Sequence, residues 1–156
     1  MSGPGLVQSE AHRAIHQAAF AEAERLTRVL RRTADGGSEG EAAQVADALL
    51  EHWEAHTLVH AQAEEEGLYR DIARGRPQWE GAIAGLARDH ALMRRLRDEI
   101  RGILAARGFS SGVAERFEAM LLINAIHSRE EEAFLFSEGG GAAAAARMQG
   151  GAGHGK

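Results

Sequence analysis

The 156-residue chain contains no cysteine. Disulfides, thiolate metal sites and cysteine nucleophiles are therefore excluded, and any metal chemistry must draw on nitrogen and oxygen donors. An excess of positive charge is also missing. The formal net charge is −5, which gives no global reason to expect nucleic acid or an anionic membrane as partner. No apolar run approaches the length of a transmembrane span, and the first residues, MSGPGLVQSE, lack the basic region and apolar stretch of a secretion signal. The expectation is a soluble, cytoplasmic protein, and the sequence does not name a protein partner. Strand-like alternation is nowhere sustained. At 44% hydrophobic residues, the chain suffices for one domain with a substantial core and is too short for two.

Four stretches carry apolar residues at helical spacing. The first covers residues 9–33, with His12, Ile15, Ala19, Leu26 and Leu30 on one stripe. The second opens at Ser38, where Ser38-Glu39-Gly40-Glu41 has the form of a capping box, and runs to residue 72 through Val45, Leu49, His56 and His60. Pro77 suits the first position of a third helix, with Ile83, Leu86, His90, Met93 and Ile100 on its stripe, which Gly108 stops. The fourth starts at Ser110 or Ser111 and reaches residue 136 through Phe117, Met120, Leu121, Asn124 and His127. Arg94, Arg95, Arg97 and Arg101 read as a solvated face of the third helix.

Connections this short predict an all-α, up-down-up-down four-helix bundle over residues 8–137. The Gly/Ala-rich stretch 138–156 has little to bury and is expected to be disordered. Its last residues, GGAGHGK, mimic part of a phosphate-binding loop without the preceding strand or the following helix.

One pattern is written twice: HAQAEEEGLY at 60–69 and HSREEEAFLF at 127–136. Positions i and i+4 share a helix face, so His60 with Glu64, and His127 with Glu131, each offer a nitrogen and a carboxylate to one point. His12 and His90 lie on the apolar stripes of the other two helices. Heights agree. His12 lies 21 residues before Thr33 and His60 lies 22 after Ser38, about 30 Å each at the α-helical rise. His90 lies 18 residues before Gly108 and His127 lies 16 after Ser111, about 25 Å each.

A single histidine on an apolar stripe is ordinarily a satisfied core residue, and acidic runs are ordinarily solvated. Four histidines and two glutamates at one level are different, because a buried unpaired carboxylate costs several kcal/mol. A cation removes that cost. Imidazole and carboxylate without sulfur suit iron, manganese or zinc, and six donors exceed what one tetrahedral zinc uses. Two metals bridged by Glu64 and Glu131, with two histidines on each, account for all six.

The ordered set His12, His60-xxx-Glu64, His90 and His127-xxx-Glu131, with HxxxEExxL followed by an aromatic residue around both acids, resembles the hemerythrin-like (HHE cation-binding) family. The resemblance implies a four-helix bundle holding a non-haem di-iron centre, its irons bridged by the two glutamates and an oxo or hydroxo group. Oxygen-carrying members place HxxxH on the third helix and HxxxxD on the fourth. Here Arg94 stands four residues after His90, and the acid is Glu131 at four, with Glu132 at five. The ligand set is more similar to that of the iron-centre repair proteins of nitrosative stress, which carry a cysteine-containing segment that this chain lacks.

His16 and His56 lie one turn above His12 and His60 and are candidates for several roles: hydrogen-bonded core or boundary residues, replacement ligands, the lining of a small-ligand pocket, or catalytic acid–base groups. His52 belongs at the edge and His154 in the tail, while packing accounts for Trp53 and Tyr69. The leading functional expectation is binding or sensing of dioxygen, nitric oxide or peroxide at the centre. A di-iron oxidase or peroxidase, and iron storage, delivery or a structural metal, are the alternatives.

Overall fold

Four apolar stripes become four long helices. The structure, a computed structural model, describes the backbone of residues 4–136 and the side chains of residues 10–135. Among these residues there is helix and turn but no strand. Helix α1 is Pro4–Asp35, α2 covers 39–73, α3 is Glu80–Arg107 and α4 is Ser111–Phe136. No helix of the described residues is long and apolar enough to cross a membrane. The stretch 138–156, expected to be disordered, lies outside the described residues, as does His154.

The turns follow from local chemistry. Gly37, Gly75 and Gly108 adopt φ of 79°, 70° and 73°, a left-handed conformation that costs glycine little and other residues more. Pro77 opens a short 3₁₀ turn, Pro77–Trp79, that leads into α3. Ser38 sits at the N-cap of α2, but its side chain makes no capping bond. The expected capping box therefore does not close. With ψ of 87°, Ser38 stands outside the extended region typical of a capping residue, and the helix starts on the bond from the Ala42 N–H to the Ser38 carbonyl.

Helix α2 departs from regularity in a way that matters for the site. Its α-helical pieces, Glu39–His52, Val59–Ala63 and Tyr69–Ala73, are separated by π turns at Trp53–Leu58 and Glu64–Leu68. A π turn bonds i to i+5 and so takes in one extra residue. The buried positions record the shift. Ala42, Ala46, Leu49, Leu50 and Trp53 follow at ordinary spacing. A step of five then leads to Leu58, steps of three to Ala61 and Glu64, a second step of five to Tyr69, and one of three to Ile72. An uninterrupted helix would have carried His56 inward two turns after Leu49. Instead His56 is exposed, with its ring 4.7 Å from that of His52.

The apolar core gathers Ala23 and Leu30 of α1, Leu49 and Trp53 of α2, Met93 and Ile100 of α3, and Phe117 and Met120 of α4. Helix α1 packs against α2 and α4, and α3 against α4, while α2 meets α3 through Trp53–Leu58 and Tyr69–Ala73. Ile15, expected on the apolar stripe of α1, is 55% exposed. The inward face of α1 is instead the His12, His16, Ala19, Ala23 row, and Ile15 stands about 100° from His16 around the helix. The arginines of α3 are also more engaged than a solvated face implies. Arg94 pairs with Glu65, and Arg97 and Arg101 with Glu54, all across to α2.

Phe117 is fully buried within this core. Phe117→Ala is expected to lower unfolding free energy by about 3–5 kcal/mol, read by urea denaturation. A loss under about 1 kcal/mol would mean that the core can collapse around the gap.

Candidate metal centre

Beyond the apolar core, the helix interior turns polar. Two groups of donor atoms meet there: His12, His16, His60 and Glu64 in one, Glu64, His90, His127 and Glu131 in the other. Within each group the donor atoms lie within 4.8 Å of one another, and Glu64 belongs to both. The six residues singled out from the sequence are thus all brought together, drawn from all four helices. His16 joins them as a seventh. His56 stays outside both groups, and His52 Nε2 donates to the Ala19 carbonyl at 2.9 Å.

The geometry centres on the two carboxylates. Glu64 Oε1 lies 3.0 Å from His12 Nε2, 3.0 Å from His16 Nε2 and 2.9 Å from His60 Nε2, while its Oε2 faces His90 Nε2 at 3.3 Å. Glu131 Oε1 lies 2.5 Å from His12 Nε2, and its Oε2 lies 3.4 Å from His127 Nε2. Glu64 is 3% exposed and Glu131 1%. Five imidazoles therefore direct the same ring nitrogen, Nε2, at two buried carboxylates.

Two details fit these residues to a cation better than to a hydrogen-bonded network. His60 Nε2 is buried and close to Glu64, yet it makes no aligned hydrogen bond. His90 Nε2 and His127 Nε2 approach to 3.1 Å. The far nitrogen of His90, Nδ1, lies 2.9 Å from Glu65 Oε1, and that of His127 lies 3.4 Å from Asp89 Oδ2. A proton held on His90 Nδ1 by Glu65 leaves the His90 Nε2 lone pair facing His127 Nε2, a place for a proton or a metal ion, while His127 Nδ1 and Asp89 Oδ2 make no hydrogen bond. Two imidazole nitrogens each about 2.1 Å from one ion, at near right angles, stand about 3 Å apart. Glu65 is itself held by Arg94 at 3.0 and 3.2 Å, so a carboxylate oriented from α3 orients a histidine of α3, as surrounding residues commonly do for metal-ligating histidines.

Tyr69 is the site residue that sequence reasoning assigned to packing. Its buried hydroxyl donates a short hydrogen bond to Glu131 Oε2, and its ring stacks on His90 with centroids 5.8 Å apart and planes 7° apart. In a regular helix, residue i+5 from Glu64 points away from it; the π turn Glu64–Leu68 returns Tyr69 to the same face. The sequence does hold a trace of this, since the two repeats end in Tyr69 and Phe136 and differ there by one hydroxyl. His16 carries a clearer signal, four residues after His12. Beside the centre lies a cavity of about 20 Å³ lined by His16, His56, Thr57, His60, Met93 and Asn124 among others, room for about one water-sized molecule, so His56, though outside both donor groups, borders the space beside them.

The titration behaviour follows from this crowding. Burial raises the carboxyl of Glu64, but the imidazoles of His12, His16, His60 and His90 outweigh it and hold the group well below the ordinary range. Burial also raises Glu131, which His12 and His127 bring down to about 2 against the opposing charge of Glu64. Burial lowers His12, yet its bonds to Glu131 and Glu64 raise it to about 9, and His127 is raised in the same way. Burial, then the charges of Glu131 and Glu64, push the Tyr69 phenol well up, so it stays a donor.

No family model matches the chain, and no curated protein or solved structure matches it.

These shifts set the pH dependence of the metal-free protein. His12 titrates at about 9 when folded, against an ordinary 6.5. Its contribution is complete below 6.5 and is lost as pH rises through 9. Glu131 titrates at about 2 against 4.5, so its contribution is complete above 4.5 and is lost as pH falls through 2. Thermal melts of metal-free protein are expected to peak between about pH 4.5 and 6.5 and to decline toward 9. Bound metal requires neutral imidazole and should remove the alkaline decline; melts that stay flat from pH 6.5 to 9 without metal would contradict the pairing. Glu65→Gln should weaken metal binding by about 10–100-fold with helix content unchanged, in competition titrations with a chelator. Unaltered affinity would mean that Glu65 does not position His90.

Proposed function

We propose that the chain is a hemerythrin-like, non-haem di-iron protein, folded as an up-down-up-down bundle, that binds or senses a small ligand such as dioxygen, nitric oxide or peroxide. One observation carries this reading: two donor groups, drawn from four helices, share Glu64 as a common carboxylate. The order His12, His60-xxx-Glu64, His90, His127-xxx-Glu131 supports the resemblance to that family. Iron held there would supply reversible redox change and an open position for the ligand; the same donors tolerate manganese or zinc.

The chain's own residues do the rest. His12, His16 and His60 would hold one ion, His90 and His127 the other, with Glu64 between them and Glu131 reaching both groups. Glu65 orients His90 from behind, Asp89 stands 3.4 Å from His127 Nδ1, and Tyr69 fixes the direction of Glu131. The small cavity against His16, His56 and His60 offers space of the order of one water-sized molecule, the scale of a diatomic rather than of a larger substrate. An oxidase or peroxidase using His16 and His56 as acid–base groups has less support, because His16 belongs to a donor group and His56, which borders the small cavity, is exposed and stands against His52.

Metal analysis of purified protein should find about two irons per chain, and the reduced form should change its visible spectrum stoichiometrically on exposure to air or nitric oxide. Glu131→Ala should lose most of the iron. Zinc alone, no metal in a stably folded protein, or no spectral response to either gas would overturn the reading, and sustained oxygen consumption with a reductant would replace it with the enzyme.

A further inference from the structure

A groove of about 360 Å³ runs between α1 and α4 and ends against His12, His16 and Glu131. That volume falls in the range of small-molecule sites and is far larger than a diatomic ligand needs. Its walls are the side chains of Phe20, Ala125 and Leu135. From Ala125 to Leu135 it follows ten residues of α4, about 15 Å, so it is elongated rather than round. Two arginines and two glutamates line it, and both glutamates are already partnered, Glu131 by His12 and His127 and Glu132 by Arg13. Arg13 is neutralised by Glu132 at 2.7 Å, whereas Arg129 lines the groove, is exposed, and makes no ion pair with a described residue.

We propose that this groove binds an aliphatic monocarboxylate, its chain lying along Phe20, Ala125 and Leu135 and its carboxylate held by Arg129. Apolar walls remove the chain from water, and a guanidinium matches a carboxylate with two parallel hydrogen bonds. A compact anion such as phosphate would gain nothing from the walls, and an alkyl ammonium would meet the wrong charge. The proposal goes beyond the di-iron reading and does not need it, because none of these four residues is a metal donor.

The test is calorimetric titration of decanoate into the full-length chain, as purified and again after iron loading. One saturable site per chain is expected in both. Arg129→Gln should weaken it at least about tenfold, and Leu135→Asp should weaken it similarly while leaving helix content and metal content unchanged. Decylamine should not saturate the site. No saturable decanoate binding, equal binding by Arg129→Gln, or equal binding of decylamine would overturn the proposal. Failure here leaves the iron stoichiometry standing, and failure to find iron leaves this binding standing.

Discussion

Glu64 and Glu131 place two carboxylates side by side in the helix interior, and the rest of the structure is organised around compensating them. Two buried charges of one sign repel, and neither has access to enough water to be screened. The chain answers with five imidazoles, all presented through the same nitrogen, and a tyrosine hydroxyl. Because those groups come from every helix, the compensation also ties the four helices together at one level. Protons on some of the imidazoles and bound metal are alternative ways of supplying the positive charge. The 3.1 Å approach of His90 to His127 and the unaligned His60 are compatible with the second.

This polar layer works only beside a well-filled apolar one. Trp53, Met93, Ile100, Phe117 and Met120 fix the spacing of the helices next to it, so each donor arrives at a set distance. The two π turns of α2 adjust the register without disturbing that packing. The first, Trp53–Leu58, rotates His56 outward; the second, Glu64–Leu68, brings Tyr69 back to the face that Glu64 occupies. An ordinary α-helix through the same residues would have left the tyrosine off the face that Glu64 occupies. Around the donors, Glu65 with Arg94 and Asp89 complete an outer layer in which the arginine once read as solvated surface holds a carboxylate in place.

Much of this was legible in the residues alone. The four helices, the Gly108 stop and the six converging residues follow from spacing and from heights counted along each helix. Those methods assume one residue every 100°, and they fail where the assumption fails. His56 and Tyr69 both lie at or just beyond a π turn: His56 is exposed at the edge of the small cavity rather than among the donors, and Tyr69, read as packing, also bonds Glu131. Ile15 was misread because a stripe one residue wide cannot tell an inward His16 from its apolar neighbour when both adjoin His12. Ser38 had the right residue type for a cap, but backbone torsion rather than composition decides whether a hydroxyl reaches the helix.

By itself the sequence determined the helical class, the sulfur-free donor chemistry and the identity of the six converging residues, because periodicity and residue type act locally and add up along a helix. The tertiary structure decided that His16 completes the first donor group, that Tyr69 bonds Glu131, that Glu65 links His90 to Arg94, and that α1 and α4 leave a groove between them. These are contacts between helices. They depend on how far each helix is rotated about its own axis, and packing sets that rotation, with π turns shifting it by a residue at a time.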